Sequence, residues 1–413
     1  MRVLIFEPQH AGHNLAYVSR LCEGVQTLGC EVHLATSRQA AASEQFEQHL
    51  GARRNLRVLP LDGFHQRAGS GVIRVNGPQG VRSLHRGFWN ALQEVKPDHV
   101  FVPFGNPISN WYGLPNRVSR YLKANQIETE LVLLFGRYAY PLDGLRSRCK
   151  QRYALSMLQR GPWTKIHHIL PHAVRVISSF SRQLQAKTNY LPDPVDPLPS
   201  IDRQQARQLI GVPADGRYIT MMGLIEERKG VHQLLAAFRT ALPNLQPNDR
   251  VLLAGKASED VRLALSENYA DLVASQRIIA LDRHLDGQAF GASCCASNLI
   301  CTPYPRHQYS ASIVIQAAAA GLPVLGNAVG WIDETIRTYQ LGTTCDTNDP
   351  ACFAKQLSIA VNTSDDFTPA ADIDQFVQRH SVDNFKTLLT ARLRERLGVE
   401  AGNDSLLERR AAS

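Results

Sequence analysis

Residues 298–334 read NLICTPYPRHQYSASIVIQAAAAGLPVLGNAVGWIDE. The apolar run that ends near Thr302 has the length and composition of a buried strand, and Pro303 closes it. A loop rich in hydrogen-bonding side chains follows, and residues 312–320 then read as a helix of small residues. Residues 322–325 (LPVL) form a second short strand, and the Gly330–Trp331 turn opens another helix. Strand, loop, helix and strand in that order predict a parallel α/β domain. Ligands of such sheets bind beyond the carboxyl ends of the strands, so the loop 303–312 is a natural nucleotide site.

The same alternation extends in both directions. Upstream in this half, strands are expected at 217–222, 251–254, 277–281 and 298–302, with helices from Gly230 and near 259–268 and 286–296. The first half repeats the rhythm. Strands are predicted at 2–6, 31–36, 56–60, 99–103 and 130–135, with helices over about 13–28, 38–50, 80–95 and 111–124. Between the halves lies 191–199 (LPDPVDPLP), whose prolines can continue neither a helix nor a central strand. The expected division is therefore an N-terminal Rossmann-like domain 1–191, a linker 192–200 and a C-terminal Rossmann-like domain 201–375. A helical segment 376–398 can pack back on the first domain, and 399–413 is a polar tail. Residues 63–80 (GFHQRAGSGVIRVNGPQG) break the rhythm and read as a long loop facing the active cleft.

Composition sets the outer bounds. With 413 residues, 44% hydrophobic and 20% charged, the chain suits two globular cores. No apolar run reaches the roughly 20 residues that span a bilayer, and the start MRVLIFEPQH reads as a first strand, not a signal peptide. The eight cysteines lack metal or redox spacing and are expected as free buried thiols of a cytoplasmic protein. A net charge of +8 favours anionic partners such as nucleotide diphosphates, lipid pyrophosphates or a membrane surface. No aromatic-interleaved basic motif points to nucleic acid. The basic stretch 146–165 contains no acidic residue, which raises peripheral contact with the inner face of a membrane. Its alternate basic residues at 146–152 wrap around a helix, however, and read better as a solvated one.

Three strand-to-helix loops are candidate sites. In the first, residues 9–14, Gly12 lets backbone approach a ligand, and His13 lies at the helix entrance, where free N–H groups meet an anion. A tight turn would require the glycine as well. In the second, residues 223–230, Arg228 and Lys229 enter a helix where a diphosphate would gain side-chain charge and the N-terminal dipole. Its bland reading is a charged, solvated loop. The third is the opening stretch. Ser310 and Ser312 are expected to cap the helix, and Ser310, Ala311 and Ser312 mark an N-terminus that can hold phosphate. Gln316, one turn in, is placed to bond ribose hydroxyls, while the alanines 317–320 let the helix pack closely on the sheet.

These residues resemble the GT-B glycosyltransferases, most closely glycosyltransferase family 4. The counterparts of that family's motifs are Gly223 to Gly230, Leu253-Ala254-Gly255, Pro303-Tyr304, Gln308 to Gln316, Ala317 to Gly321, Pro323-Val324 and Gly330. The resemblance implies an α/β fold of the GT-B type, two doubly wound Rossmann-like parallel-sheet domains facing a cleft. It implies a retaining transfer from a UDP- or GDP-linked sugar to a glycan, lipid-linked or small-molecule acceptor, with no metal and no further cofactor. It also places Gly12, His13, Asn106, Arg137 and Gln308 around the reacting groups, with Asn106 and Arg137 in loops that face the acceptor side.

The chain departs from the family at three places. Leu224 replaces an arginine, both glutamates of the E-x7-E pattern are glutamines (Gln308 and Gln316), and no histidine matches near Leu134 to Arg137. Gln316 can still bond a ribose, whereas Gln308 offers no negative charge. An active hexosyltransferase is the expectation, since the leaving-group charge is met by cations and helix N-termini. The alternative is a catalytically silent GT-B protein that binds nucleotide or glycan as a partner subunit. An epimerase or phosphorylase is a third reading, which no lysine-bound cofactor motif promotes.

Overall fold

The computed structural model describes residues 1–10, 14–64, 78–135 and 144–399. The chain forms two compact units, one of residues 1–192 and 383–413, the other of residues 193–382. Each is a wholly parallel sheet covered by helices.

The N-terminal sheet contains seven strands: β1 (Arg2–Phe6), β2 (Glu31–Ser37), β3 (Leu56–Leu61), β4 (His99–Val102), β5 (Glu128–Leu133), β6 (Lys165–His168) and β7 (Thr188–Tyr190). Their order is β3-β2-β1-β4-β5-β6-β7. β1 is apolar at every position after Arg2 because both faces are covered. Leu4 and Phe6 join a core with Phe88, Leu92, Leu122 and Leu158, and Phe6 stacks on Phe88 with ring centroids 4.5 Å apart. The helix Val382–Leu397 packs with Asn14–Gln26 in this unit. Tyr17 meets Phe385 edge-on at 5.2 Å, Lys386 bonds Glu23 at 2.8 Å, and a Cβ at Gly24 would lie 3.2 Å from Thr390.

The C-terminal sheet contains β8 (Tyr218–Met222), β9 (Arg250–Ala254), β10 (Ile278–Leu281), β11 (Leu299–Thr302), β12 (Val324–Asn327) and β13 (Gly342–Cys345), ordered β10-β9-β8-β11-β12-β13. The order in which successive strands are added reverses between β1 and β4 in the first unit and between β8 and β11 in the second. Each reversal opens a crevice at the carboxyl ends of the two strands.

Several sequence expectations shift. The helix expected near 111–124 begins only at Arg117, capped by Asn116, because residues 105–114 run as successive turns. The stretch expected as one helix near 38–50 is three short helical pieces, Arg38–Ala41, Glu44–Phe46 and Glu47–Gly51, the first two capped by Ser37 and Ser43. The loop expected at 63–80 falls at 65–77 outside the described residues, and the chain is helical again from Pro78. Strands β6, β7 and β13 and the helix Pro350–Asn362 were not anticipated. Cys22, Cys30, Cys294, Cys301 and Cys345 are buried free thiols, but Cys149 is exposed and Cys295 and Cys352 are half-buried.

One face of the first sheet holds an unexpected polar cluster of fully buried residues. Glu130 of β5 lies 2.7 Å from His167 Nε2 of β6, and its other oxygen is 3.0 Å from His99 Nε2 of β4. Burial alone would raise that carboxyl, but the two imidazoles outweigh it and hold it near 2.

Candidate active site

In the C-terminal unit the crevice between β8 and β11 is built by two loops packed on one another. The first leaves β8 through Gly223, whose φ of +84° is open to glycine. A Cβ on Gly255, at the end of β9, would stand 2.0 Å from Gly223 O, so the two strand ends meet without side chains between them. The loop then makes one short turn, Glu227–Lys229, and enters the helix Val231–Ala241 through Gly230, φ +78°. A Cβ on Gly230 would press on Pro303 and Pro305 of the second loop at 3.0 Å. Across this seam Tyr304 N donates to Lys229 O at 3.1 Å.

Lys229 is the centre of the arrangement. Its ammonium folds back to donate to Met222 O at 2.8 Å and lies 5.8 Å from the ring centroid of Tyr304. Burial, with the charge of Arg228 beside it, pushes this amine down to about 8. One of its three N–H groups is used by Met222, which leaves donors for an anion. Arg228 is exposed, and its guanidinium is engaged with Glu226 Oε1 at 3.1 and 2.5 Å, so a phosphate contact from it requires that pair to open. Leu224 is half exposed.

The second loop is fixed from beneath. Asn327 at the end of β12 donates to Tyr304 O at 3.3 Å and accepts from Thr347 N, and the Thr347 hydroxyl donates to Pro303 O at 2.7 Å. His307 Nε2 pairs with Ser310 O at 3.1 Å, and the Ser310 hydroxyl donates to Asp193 at 3.0 Å. Thr347 and Asp193 were missed by sequence reasoning, because neither lies near the motif in the chain. Gln308 is exposed, and its carbonyl accepts from Trp331 N at 3.4 Å, so the Gly-Trp turn supports the loop.

The helix Ser312–Ala319 departs from the expected capping. Its N-cap is Ala311, with no side-chain cap bond, because Ser310 is turned to Asp193 and Ser312 is already the first helical residue. The first N–H groups of this helix are thus not covered by either serine. Gln316 follows one turn later, 9% exposed, and its Oε1 has no hydrogen-bond partner. A buried, unmatched amide oxygen beside an uncapped helix start is a place where a ligand hydroxyl would be welcomed.

The N-terminal unit has different chemistry at its own crevice. Glu7, immediately after β1, is 1% exposed and accepts from Gln9 N at 3.0 Å; burial pushes its carboxyl up to about 8. The sequence signal for it was a glutamate ending an apolar strand, which the reading passed over. Asn106 is spent on structure: its Oδ1 accepts from Leu134 N at 2.9 Å and Phe135 N at 3.1 Å, and its Nδ2 donates to Phe135 O. Gly12, His13 and Arg137 lie outside the described residues. Among the described residues, no group of three or more His, Cys, Asp or Glu side chains could hold a metal ion.

Residues 202–368 match the profile of the family described as glycosyl transferases group 1. The match lies within the C-terminal unit. The chain has the GT-B fold of two Rossmann-like parallel-sheet domains. Sucrose-phosphate synthase from Thermosynechococcus elongatus superposes with a TM-score of 0.71 at 15% identity, covering 96% of this chain and 99% of that one. HepE from Anabaena, solved in complex with UDP, superposes with a TM-score of 0.66 at 14% identity, covering 95% and 99%. In sequence, the chain is 23% identical over 185 residues to a D-inositol 3-phosphate glycosyltransferase of Corynebacterium urealyticum, 44% of this chain and 43% of the relative. It is 28% identical over 159 residues to the enzyme of that name from Salinispora arenicola, 37% and 35%. The chain thus spans less than half the length of these relatives. Lys229, Tyr304 and Gln316 all fall within the matched residues.

Proposed function

We propose that this chain is a retaining glycosyltransferase that takes a sugar from a nucleotide diphosphate sugar and passes it to a glycan, lipid-linked or small-molecule acceptor. The observation that carries the reading is the conjunction of Lys229, the uncapped start of the helix Ser312–Ala319 and the unpartnered Gln316 in one group 1 domain. The HepE structures were solved with UDP, with UDP and glucose, and with UDP-glucose, which supports a donor of the UDP-linked class.

In this reading the diphosphate lies between Lys229 Nζ and the helix start, with Arg228 joining after it leaves Glu226. Gln316 accepts from a ribose hydroxyl. When the glycosidic bond to the diphosphate breaks, the negative charge grows on the leaving phosphate, and these fixed donors stabilise it. Gln308 is neutral, so it can hydrogen-bond the donor sugar but cannot share the charge of a developing cation. No described helix is long and apolar enough to cross a membrane. The helix Leu145–Arg160 exposes Arg146, Arg148, Lys150 and Arg152, together with Leu145 and Tyr153, which supports a peripheral membrane contact.

The test is release of nucleoside diphosphate across a panel of UDP- and GDP-linked sugars, with and without acceptor, and NMR of the product's anomeric configuration. Turnover with retention is expected for one donor. Thermal stabilisation by UDP or GDP with no turnover of any donor would instead establish the silent, nucleotide-binding alternative.

A further inference from the structure

The N-terminal unit has a second concavity, of about 680 Å³, at the opposite end of its strands from the crevice. Its walls are the start and body of the helix Arg117–Ala124, the end of the helix Leu145–Arg160, the turn 161–163 that leads into β6, and the helix Arg182–Lys187. That volume is in the range that holds a small organic ligand, about 300–1,000 Å³.

The charge of the lining is one-sided. Arg120, Lys123, Arg160 and Lys187 all face it, and among the described residues no aspartate or glutamate does. Exposed lysines and arginines on helices are ordinary, but Lys187 is not of that kind. It is 9% exposed, and its ammonium is fixed in the wall by Gln159 O and Trp163 O, each at 3.2 Å. Those two carbonyls leave a third N–H unassigned. Burial, with a smaller contribution from the neighbouring Lys123, pushes this amine down to about 8. Lys123 spends a donor on Arg160 O at 2.8 Å, and among the described residues neither Arg120 nor Arg160 has an ion-pair partner. Two further donors in the same wall, the Tyr112 hydroxyl and the Trp163 indole N–H, are buried without an acceptor. The chain therefore supplies positive charge here with no carboxylate in the described lining to answer it, and the Tyr112 and Trp163 donors have no acceptor at all.

We propose that this pocket binds a phosphate-type oxyanion carried by a small organic molecule, at a site separate from the nucleotide crevice of the C-terminal unit. The planar forks of Arg120 and Arg160 suit a bidentate oxyanion at the mouth, and Lys187 suits a single oxygen at the base. The same chemistry fits a soluble phosphate ester and a phospholipid headgroup.

The experiment is calorimetric titration of the full-length protein with inorganic pyrophosphate, made in a Lys229→Ala background to disable the other phosphate site. Binding is expected to persist there and to fall by about tenfold or more when Arg160→Ala and Arg120→Ala are added. Both residues are exposed, so those variants keep the fold, and Lys187→Met provides an independent loss from the base of the pocket. Flotation with phosphatidylcholine vesicles, with and without phosphatidylglycerol, separates the sources. Sensitivity of flotation to the two arginines assigns the oxyanion to a headgroup, and insensitivity assigns it to a soluble ester. The proposal is overturned if pyrophosphate affinity is unchanged in the arginine variants, if it vanishes with Lys229→Ala alone, or if sodium chloride at equal ionic strength reproduces the heat.

Discussion

The two strand-end crevices of this protein are built by one topology and carry opposite chemistry. At the β8/β11 reversal the chain places Lys229, an uncapped helix start and a neutral amide, Gln316. At the β1/β4 reversal it places a buried carboxyl, Glu7, and an asparagine whose side chain is consumed in tying the loop after β4 to the end of β5. The sheet thus dictates where a ligand can go, and the loop residues dictate its sign. A cationic crevice suits a diphosphate. A carboxyl raised to about 8 is a hydrogen-bond donor near neutrality and adds no negative charge there.

The largest expected effect comes from removing the close approach that shapes the C-terminal crevice. Gly255→Ala places a Cβ 2.0 Å from Gly223 O at a φ of +145°. It should cost about 3 kcal/mol or more in urea unfolding, since backbone strain and overpacking add. In the N-terminal unit, a Cβ on Gly105 would stand 2.0 Å from Leu131 Cδ1, 2.5 Å from its Cγ and 3.2 Å from Val132 O, so its closest clash is with a side chain and its φ is ordinary. Gly105→Ala should therefore cost clearly less; equal costs would mean that the two crevices are equally tight.

The second effect concerns Glu7 and follows from its sign. The folded state raises this carboxyl from an ordinary value of 4.5 to about 8. Between those values the folded protein binds more protons than the unfolded one, so stability falls as pH rises through that window, by roughly a few kcal/mol. Glu7→Gln should flatten this slope in denaturation curves recorded from pH 4 to 9. An unchanged slope would show that Glu7 is ionised in the folded protein and that the contrast between the crevices is smaller than drawn.

Next in size, Lys229→Ala should weaken UDP binding by at least about tenfold, or about 1.4 kcal/mol, in calorimetry. Lys187→Ala, in the other unit, should leave UDP affinity unchanged even though its amine is also held near 8. Loss in both would mean that charge, not position in the fold, governs nucleotide binding. The smallest effect is expected for Gln316→Leu. It removes a buried, unmatched oxygen, so stability should hold or rise by about 1 kcal/mol while UDP affinity drops severalfold. Intact affinity would remove Gln316 from the ribose contact.

Much of this was legible in the sequence because the signals are local. Apolar runs without alternation announced strands buried on both faces, and glycine, proline and serine marked where helices begin. Lys229 drew notice for the same local reason, a cation at the mouth of a helix after a strand, but its fold-back onto Met222 O was not legible. β6 and β7 escaped because they are only four and three residues long and carry His167, His168 and Asn189 in place of an apolar run. Asn106 looked like a cleft residue because its loop position was right, and nothing in the chain announces that Leu134 and Phe135 would claim its oxygen.

The sequence by itself determined the two parallel sheets, the proline-rich passage between them and the strand-to-helix loops at their carboxyl ends. These depend on periodicity and on residue types within a few positions of each other. Only the tertiary structure decided which polar atoms remain unmatched. Ser310 is turned to Asp193, Arg228 is held by Glu226, and Gln316 and the pocket around Lys187 are left with unanswered hydrogen-bonding groups. Pairing of that kind is settled by atoms brought together from distant parts of the chain. A residue's availability for chemistry is therefore a property of the folded environment, while its capacity for that chemistry is already written in its type.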